Sequence, residues 1–155
     1  MGERRKLRMC LVASAGGHLS QLLKVVPHIE GYQTFVVTTS EAVREGLKRL
    51  GTVYVVGECN REHPLQVVKV LARCFKAIYR ERPDVVLSTG AAAGCICCFL
   101  GKLFGARVVW VDSITNVERM SLSGRMVRPI ADLCLVQWPE LMHKYAGTRY
   151  AGNII

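Results

Sequence analysis

A histidine that follows a glycine-rich turn is the residue best suited to chemistry in this sequence. Residues 9–13 are an apolar run that predicts a buried strand, residues 14–17 turn the chain, and apolar residues recur at helical spacing after His18. An imidazole at that position can take a proton near neutral pH. Gly16 and Gly17 let the backbone approach a ligand, and the N–H groups at the start of the helix can bind an anion or a hydroxyl.

The same residues also admit a plainer interpretation, in which they form a tight turn that carries a solvated histidine. The turn lacks the spacing of a dinucleotide-binding fingerprint, because no glycine stands two residues before Gly16 or three residues after Gly17. The turn by itself leaves both interpretations open.

The elements that would position this histidine alternate along the chain. Strands are predicted at residues 9–13, 34–38, 52–56, 84–88, 107–111 and 133–137. Helices are predicted after the first turn and at residues 41–50, 64–82, 91–104 and 119–131, with a tail that is irregular or briefly helical. Because the strands are continuous β-branched runs, the pattern predicts one α/β domain over residues 1–155, a Rossmann-like parallel sheet with helices on both faces.

Four polar loops follow predicted strands, and they are candidates for a binding site. They are residues 14–18, 57–63, 89–94 and 112–118. The carboxyl ends of parallel strands meet at one edge of the sheet, where ligands bind in such folds. We therefore expect Ser14, Thr89, Gly90 and Ser113 to contribute to substrate binding beside His18.

Composition narrows the classes of function. The chain has 155 residues, half of them apolar, without an uninterrupted apolar segment of 18 residues or a signal-peptide core near its start, so neither a membrane-spanning helix nor a signal peptide is predicted. Seven cysteines without a framework spacing indicate reduced thiols of a cytoplasmic protein. Cys95, Cys97 and Cys98 are expected to pack inside a helix, and neither a metal nor another cofactor is expected.

The net charge of +9 favours a polyanionic partner, such as an acidic membrane face, a nucleic acid or a phosphate-bearing substrate. No aromatic residues alternate with basic residues on a strand, so a nucleic acid is not the expected partner. Lys69, Arg73, Lys76 and Arg80 share one face of the long helix, which is either a solvated face or a contact surface. The helix predicted from Arg119 mixes basic and apolar residues, which suits a membrane interface.

Five segments carry a resemblance to known glycosyltransferase subunits: SAGGHLSQLL, RPDVVLSTGAAAG, VDSITNVERMSLSGRMV, ADLCLVQWPEL and KYAGTRYAG. Together they resemble the PssD-type subunits of bacterial polysaccharide glycosyltransferases and the membrane-docking subunit of the eukaryotic dolichol-linked N-acetylglucosaminyltransferase. They resemble the N-terminal half of MurG-type transferases more distantly. The resemblance covers about residues 8–153, and SLSG followed by VQWPEL is highly specific.

The resemblance implies the N-terminal, acceptor-side half of a GT-B glycosyltransferase. The nucleotide-sugar domain is then expected on a separate, PssE-like subunit, and the end of the chain soon after the sixth predicted strand agrees with that expectation. Related subunits commonly carry an N-terminal transmembrane anchor. Here basic or amphipathic helices would have to provide peripheral attachment to the inner face of the cell membrane.

The resemblance also implies roles for individual residues. Gly16, Gly17 and His18 match the family's glycine-rich loop and its proposed general base, which would deprotonate the acceptor hydroxyl. Thr89 and Gly90 match a second loop near the lipid-phosphate acceptor.

Three further residues match less closely. Glu118 matches an acidic position in the cleft only approximately, and it is the second candidate for a catalytic residue. Asn60 and Arg61 resemble the polar loop after the third strand, where Arg61 would contact a phosphate. The alternative for Arg61 is an exposed loop arginine.

The leading hypothesis is therefore an enzyme subunit that helps to transfer a sugar from a UDP-sugar to a polyprenyl-diphosphate-linked acceptor, with inversion at the anomeric carbon. The alternative is a non-catalytic adaptor that recruits and stabilises the catalytic subunit at the membrane. A phosphate-binding sensor domain is a third class, which gives no reason for SLSG and VQWPEL to recur. The sugar itself stays open.

Overall fold

The fold is a parallel sheet, seen in a computed structural model that describes residues 5–29, 31–59 and 62–153. Its seven strands are β1 (Arg8–Val12), β2 (Gln33–Thr38), β3 (Val53–Val55), β4 (Val85–Ser88), β5 (Arg107–Val111), β6 (Leu133–Val136) and β7 (Thr148–Tyr150). Their order is β3-β2-β1-β4-β5-β6-β7, and all neighbours are parallel. The order reverses between β1 and β4, and in such sheets the ligand crevice lies at the carboxyl ends of the strands beside this reversal.

In the part of the chain that the structure describes, six α-helices cover the sheet. They are α1 (Gly17–Val25), α2 (Arg44–Leu47), α3 (Pro64–Glu81), α4 (Ala91–Leu103), α5 (Leu122–Val127) and α6 (Pro139–Lys144). Short 3₁₀ turns at residues 26–28, 41–43, 48–50 and 128–130 extend some of them. The Rossmann-like arrangement predicted from the alternating pattern is confirmed.

Alternate residues of the strands enter two apolar cores, one on each face of the sheet. On one face, Cys10 and Val12 pack with α3 and α4, whereas Met9 and Leu11 pack with α1 on the other. Because both faces are covered, the strands have the continuous apolar sequences that indicated a parallel sheet. Cys97 and Cys98 are fully buried in the first core, which confirms their expected packing role.

Three details differ from the sequence prediction. The tail contains a seventh strand, β7, which the prediction missed because its three residues, Thr-Arg-Tyr, form no apolar run. The helix expected from Arg119 begins only at Leu122, since the Ser121 side chain caps it by accepting from the Gly124 N–H at 2.9 Å. The helix predicted over residues 41–50 is one short α-helix between two 3₁₀ turns.

Helix α3 has three distinct faces. The buried face consists of Val70, Cys74, Ala77 and Ile78. An apolar stripe is exposed to solvent and consists of Leu65, Val68, Leu71, Phe75 and Tyr79. The basic face predicted from the sequence is exposed beside that stripe and consists of Lys69, Arg73, Lys76 and Arg80. No helix within the described residues is both long and apolar enough to cross a membrane.

Candidate functional site

The candidate site lies where β1 and β4 end side by side. Val12 of β1 is in register with Ser88 of β4, so the chain leaves both strands at the same level of the sheet. The glycine-rich turn then leads into α1, and Thr89 and Gly90 lead into α4. Two loops that are 70 residues apart in the sequence are thereby placed in contact, which confirms the expectation that they share one edge.

Two reciprocal hydrogen bonds join these loops. The Nδ1 atom of His18 lies 2.9 Å from the carbonyl oxygen of Thr89, and the Thr89 hydroxyl donates to the carbonyl oxygen of His18 at 2.7 Å. A carbonyl oxygen only accepts, so Nδ1 must carry the proton in this pair. In the neutral ring Nε2 is then an acceptor, and within the described residues it has no hydrogen-bond partner. His18 is half-buried, which leaves Nε2 able to receive a proton from a bound hydroxyl.

Gly90 is required by the position of the imidazole. A Cβ atom added at Gly90 would lie 2.5 Å from both Nδ1 and Cε1 of His18, well inside the contact distance. The residue also has a φ of 138°, and its N–H donates to the Ser88 hydroxyl at 3.1 Å. The ring of His18 is therefore packed directly against the backbone at the start of α4.

One of the two non-glycine residues with a positive φ in the described chain lies in these loops, and the other, Arg82, ends α3. Ala91 has a φ of 68°, in the left-handed region that alanine rarely adopts, and it follows Gly90 directly. Gly16, at the start of α1, has a φ of 105°. Such conformations cost about 1–3 kcal/mol for a residue with a side chain, and they cluster at functional sites.

The loop after β5 reaches the same region through Ser113. Its hydroxyl accepts a hydrogen bond from the Gln21 side-chain amide of α1 at 3.0 Å and lies 2.9 Å from the Thr115 hydroxyl. Gln21 is only 9% exposed, and its Oε1 atom has no partner within the described residues. Ser113 is itself buried, and its hydrogen bond with Gln21 joins the loop to α1, while its contact with a substrate stays a prediction.

Asp112 holds that loop in shape. Its two carboxylate oxygens accept from the Trp110 indole at 3.1 Å, from the Asn116 amide at 3.2 Å, and from the backbone N–H and hydroxyl of Ser121 at 3.1 and 2.6 Å. Gly124 packs closely against this group, because an added Cβ atom would lie 2.7 Å from an Asp112 oxygen. A buried carboxylate with four donors is a rigid anchor at the end of β5.

Glu118 does not join the histidine in a contact. It is exposed on the outer part of the loop after β5, beside Asn116 and Arg119, where a shallow pocket is open to solvent. Its backbone oxygen accepts from the Lys144 ammonium of α6 at 2.9 Å. Its prediction as a catalytic residue therefore gains no support from a contact with His18.

The other predicted residues lie at or near the glycine-rich turn. Ser14 is half-buried after β1, and Gly16 and Gly17 are exposed at the mouth of the crevice. Asn60 and Arg61 lie outside the described residues, so substrate binding by both and the contact of Arg61 with a phosphate stay predictions.

Sequence reasoning missed the supporting residues of the site. Gln21 was not predicted because it lies among the apolar residues of α1. A polar residue beside Leu22 on such a face is nevertheless a signal of a buried hydrogen bond. Thr39, whose hydroxyl accepts from the Ala15 N–H at 3.0 Å, follows β2 without any distinguishing motif. In the described part of the chain, no group of three or more His, Cys, Asp or Glu residues is placed to hold a metal.

Comparison with known proteins identifies the family. A family model described as "Oligosaccharide biosynthesis protein Alg14 like" matches residues 9–154, which is nearly the whole chain. The chain belongs to the Alg14-like family. The resemblance to the eukaryotic transferase subunit is thereby confirmed.

Curated relatives of this Alg14-like chain are transferase subunits. It is 26% identical to the UDP-N-acetylglucosamine transferase subunit ALG14 of Mus musculus, over 98% of this chain and 85% of that protein. It is 23% identical to the subunit of the same name from Yarrowia lipolytica, over 96% of this chain and 81% of that protein. The family thus relates the chain to glycosyltransferases that build oligosaccharides.

Solved structures confirm the fold. The MurG of Acinetobacter baumannii superimposes with a TM-score of 0.75 at 16% identity, over 96% of this chain and 46% of that one. A UDP-GlcNAc 2-epimerase from Methanocaldococcus jannaschii gives a TM-score of 0.70 at 14% identity, over 95% of this chain and 46% of that one. The chain therefore spans about half the length of these structures, and its sheet corresponds to one half of a two-domain architecture.

Proposed function

We propose that this chain is the acceptor-side subunit of a two-component inverting glycosyltransferase. It would bind a polyprenyl-diphosphate-linked acceptor at the crevice between α1 and α4, while a second subunit presents a UDP-sugar. The observation that carries the proposal is the hydrogen-bonded pair of His18 and Thr89, which leaves Nε2 of the imidazole as an acceptor at the mouth of the crevice. Membership of the Alg14-like family supports the same class of reaction.

The proposed chemistry is a single displacement. The acceptor hydroxyl oxygen attacks the anomeric carbon of the UDP-sugar, the bond from that carbon to the phosphate oxygen breaks, and UDP leaves with the bonding electron pair. The hydroxyl proton passes to Nε2 of His18. Attack from the face opposite the leaving group inverts the configuration, and no protein nucleophile is required. A positioned base of this kind typically contributes about 10²–10⁴-fold to the rate.

The first turn of α1 would bind the acceptor phosphate. The helix begins at Gly17 without a side-chain cap, so the N–H groups of its first turn have no side-chain partner there. Phosphate groups bind at helix N-termini because these N–H groups and the helix dipole both favour negative charge. Gly16 and Gly17 are exposed and carry no side chain, which lets a phosphate approach the backbone.

The donor would come from a separate PssE-like subunit. The curated relatives are named as subunits of a UDP-N-acetylglucosamine transferase, which supports a second subunit. In this proposal the two subunits meet over the carboxyl edge of the sheet, because both reactants must reach His18. We expect the chain alone to show no transfer activity and to gain it on mixing with that partner.

The membrane would be contacted through α3. Its exposed apolar stripe lies beside a row of four basic side chains, and this combination suits the boundary between lipid headgroups and acyl chains. A lipid-linked acceptor stays in the bilayer, so an enzyme that uses it benefits from peripheral attachment. We place the complex at the cytoplasmic face of the cell membrane, where anionic lipids attract basic surfaces.

Turnover by the assembled complex tests the proposal. The substitution His18→Ala is expected to lower kcat by about 10²–10⁴-fold, since the hydroxyl proton loses its acceptor. The matched control is His28→Ala, because His28 is an exposed histidine in the turn that follows α1. Transfer of labelled sugar from UDP-sugars to the lipid acceptor is the measurement, with co-purification of the partner as the control for assembly.

The same experiment separates the enzyme from the adaptor. An adaptor needs only its interface and its membrane surface, so it would retain near wild-type turnover when His18 is replaced. Loss of turnover with intact assembly supports the catalytic subunit. Near wild-type turnover with intact assembly would remove His18 from the mechanism and favour either the adaptor or Glu118 as the base.

A further inference from the structure

A second concave surface lies at the opposite edge of the sheet, at the amino ends of β1 and β2. Five basic residues line it, and we call them the basic cleft: Arg5, Lys6, Arg8, Arg80 and Arg82. They come from the start of the chain, from β1, and from the carboxyl end of α3. This cleft is not used by the proposed reaction, whose residues all lie at the carboxyl edge.

Two members of the basic cleft are already neutralised. Arg5 forms an ion pair with Asp84 at 3.1 Å, and Arg8 forms one with Glu81 at 3.1 Å. Within the described residues, Lys6, Arg80 and Arg82 have no ion pair. The cleft therefore retains positive charge after its internal pairs are formed, and a concave basic surface attracts oxyanions.

Part of this charge has a structural explanation. Cations near the carboxyl end of a helix compensate its dipole, and two arginines do so here. Arg8 donates to the carbonyl oxygen of Glu81, and Arg82 donates to that of Tyr79, both at 3.2 Å. No such contact with a carbonyl involves Lys6 or Arg80 in the described chain. Compensation of the α3 dipole therefore does not account for the positive charges of Lys6 and Arg80.

The basic cleft is continuous with an exposed apolar surface. The guanidinium of Arg82 lies over the ring of Tyr79 at 4.7 Å and over that of Phe104 at 5.7 Å. Tyr79 in turn stacks on Phe75, with 5.8 Å between ring centroids, and Leu103, which precedes Phe104 in the chain, is 76% exposed. An amphiphile with a phosphate head and an apolar chain matches this arrangement, whereas a free phosphate would leave the apolar part unused.

From these observations we propose that the basic cleft binds the phosphate of an anionic membrane lipid, with Arg82 held over Tyr79 at the border between headgroup and acyl chain. Guanidinium groups suit this role because they bind phosphate oxygens in a bidentate fashion. The inference rests on the membrane contact of the proposed function, and it adds a specific headgroup site at the end of α3. It does not depend on catalysis by His18.

Vesicle binding by the full chain tests this site. The probe is a vesicle of phosphatidylcholine with about one-third phosphatidylglycerol at about 0.1 M salt, compared with pure phosphatidylcholine. The triple variant Lys6→Gln/Arg80→Gln/Arg82→Gln is expected to lower the partition coefficient onto anionic vesicles about 100-fold, since each basic residue near the surface contributes about fivefold. The double variant Lys6→Gln/Arg80→Gln retains Arg82, the residue that ends α3. By the same reasoning its partition coefficient onto anionic vesicles should fall about 25-fold.

A control variant that removes the same charge from other surfaces distinguishes a specific lipid site from attraction by net charge. Lys24→Gln/Arg49→Gln/Arg149→Gln removes three exposed basic residues from other parts of the surface. We expect this control to lower vesicle binding less than about fivefold. An equal loss in the control and in the cleft variant would show attraction by net charge alone and would overturn the proposal.

A further variant distinguishes a lipid from a soluble phosphate. Leu103→Ser should weaken binding to anionic vesicles about threefold to tenfold, because an exposed apolar contact with the acyl region is lost, and leave the binding of glycerol 3-phosphate unchanged. Unaltered vesicle binding by Leu103→Ser, or full displacement of the wild type from vesicles by glycerol 3-phosphate, would contradict a lipid ligand. Because these measurements need no turnover, their failure is distinct from failure of the proposed reaction.

Discussion

The two edges of the sheet are built from different interactions. At the carboxyl edge the loops are held by buried and part-buried hydrogen bonds, between uncharged groups in the pair of His18 and Thr89 and to a carboxylate at Asp112. Gly90 and Gly124 lie at this edge where a side chain would crowd its neighbours. At the amino edge carboxylates cap the starts of strands and pair with basic side chains. Asp84 accepts from the Arg8 N–H at 2.8 Å, and Asp132 accepts from the Val108 N–H at 2.7 Å.

This difference determines how well each edge tolerates amino-acid substitution. Hydrogen bonds within buried loops fix side chains to within a fraction of an ångström, which a reactive imidazole requires. Exposed ion pairs tolerate movement and contribute little stability each, since water and salt screen them. We therefore expect substitutions at the carboxyl edge to have large effects on activity or stability, and substitutions at the amino edge to have small ones.

After His18→Ala, the largest effect on activity is expected from Gly90→Ala. The new methyl group would overlap the His18 ring, so kcat/KM of the assembled complex should fall about 100-fold, as misplacement by about 1 Å can cause. The matched control is Gly105→Ala, because Gly105 also has a positive φ, of 86°, but no atom lies within 4 Å of its added Cβ. Gly90→Ala should also lose more stability than the control, because the backbone of Gly90 (φ 138°, ψ −169°) is nearly restricted to glycine. Equal activities of the two would contradict the packing of His18 on Gly90.

Next in size is the effect of Asp112→Asn on stability. The replaced oxygen would present N–H groups to donors that now bind a carboxylate, so the free energy of unfolding should fall by about 2–3 kcal/mol. Denaturant unfolding measures this loss. A change below about 0.5 kcal/mol, the range of ordinary surface substitutions, would show that the loop after β5 does not depend on this carboxylate.

A smaller effect is expected from Asp132→Asn at the amino edge. The Val108 N–H, followed by the Lys102 ammonium, lowers the pKa of Asp132 below its usual value. A carboxyl whose pKa is lowered by folding stabilises the folded state above its unfolded pKa, about 3.9, and loses that contribution as the pH falls through its folded pKa.

The side chain of Asp132 is 39% exposed, so solvent screening limits the loss to about 0.5–1 kcal/mol at neutral pH. The wild type and Asp132→Asn should therefore differ in the free energy of unfolding at pH 7 and converge in acid. Unfolding curves at several pH values provide the measurement. A difference that stays constant into acid would exclude ionisation of Asp132 as its cause.

The smallest effect is expected from Arg5→Gln. Arg5 is 76% exposed, so its ion pair with Asp84 should contribute less than about 0.5 kcal/mol to the free energy of unfolding. Arg8→Gln is the informative partner variant, because Arg8 contacts both the carboxylate and the backbone oxygen of Glu81, and it should cost more. The reverse order would show that the amino edge depends on its most exposed pair.

The sequence allowed the carboxyl edge to be predicted better than the amino edge. The glycine-rich turn between a buried strand and a helix left a solvated histidine open, and the resemblance to the family is what singled out His18 without a structure. The basic cleft has no such signature. Arg8 and Arg80 are far apart in the sequence, and only the packing of α3 against the sheet brings them together.

The same distinction explains the errors in the predicted elements. Continuous apolar runs marked β1, β2, β4 and β5, because strands buried on both faces cannot contain many polar residues. The run Thr148–Tyr150 is short and polar, and it becomes a strand only because β6 offers it an unpaired edge. Likewise, the start of α5 depends on Ser121 and Asp112, whose hydrogen bond forms only once β5 is in place.

The sequence by itself determined the class of fold, the family and the position of the glycine-rich turn, because local apolar patterns and motifs are sufficient for these. Only the tertiary structure decided that Thr89 fixes the proton on Nδ1 of His18, that Gly90 must lack a side chain, and that Glu118 lies apart from the imidazole. The contacts of His18 with Thr89 and Gly90 join residues about 70 positions apart in the sequence. The register of β1 against β4 brings these residues together, and no local sequence pattern predicts that register.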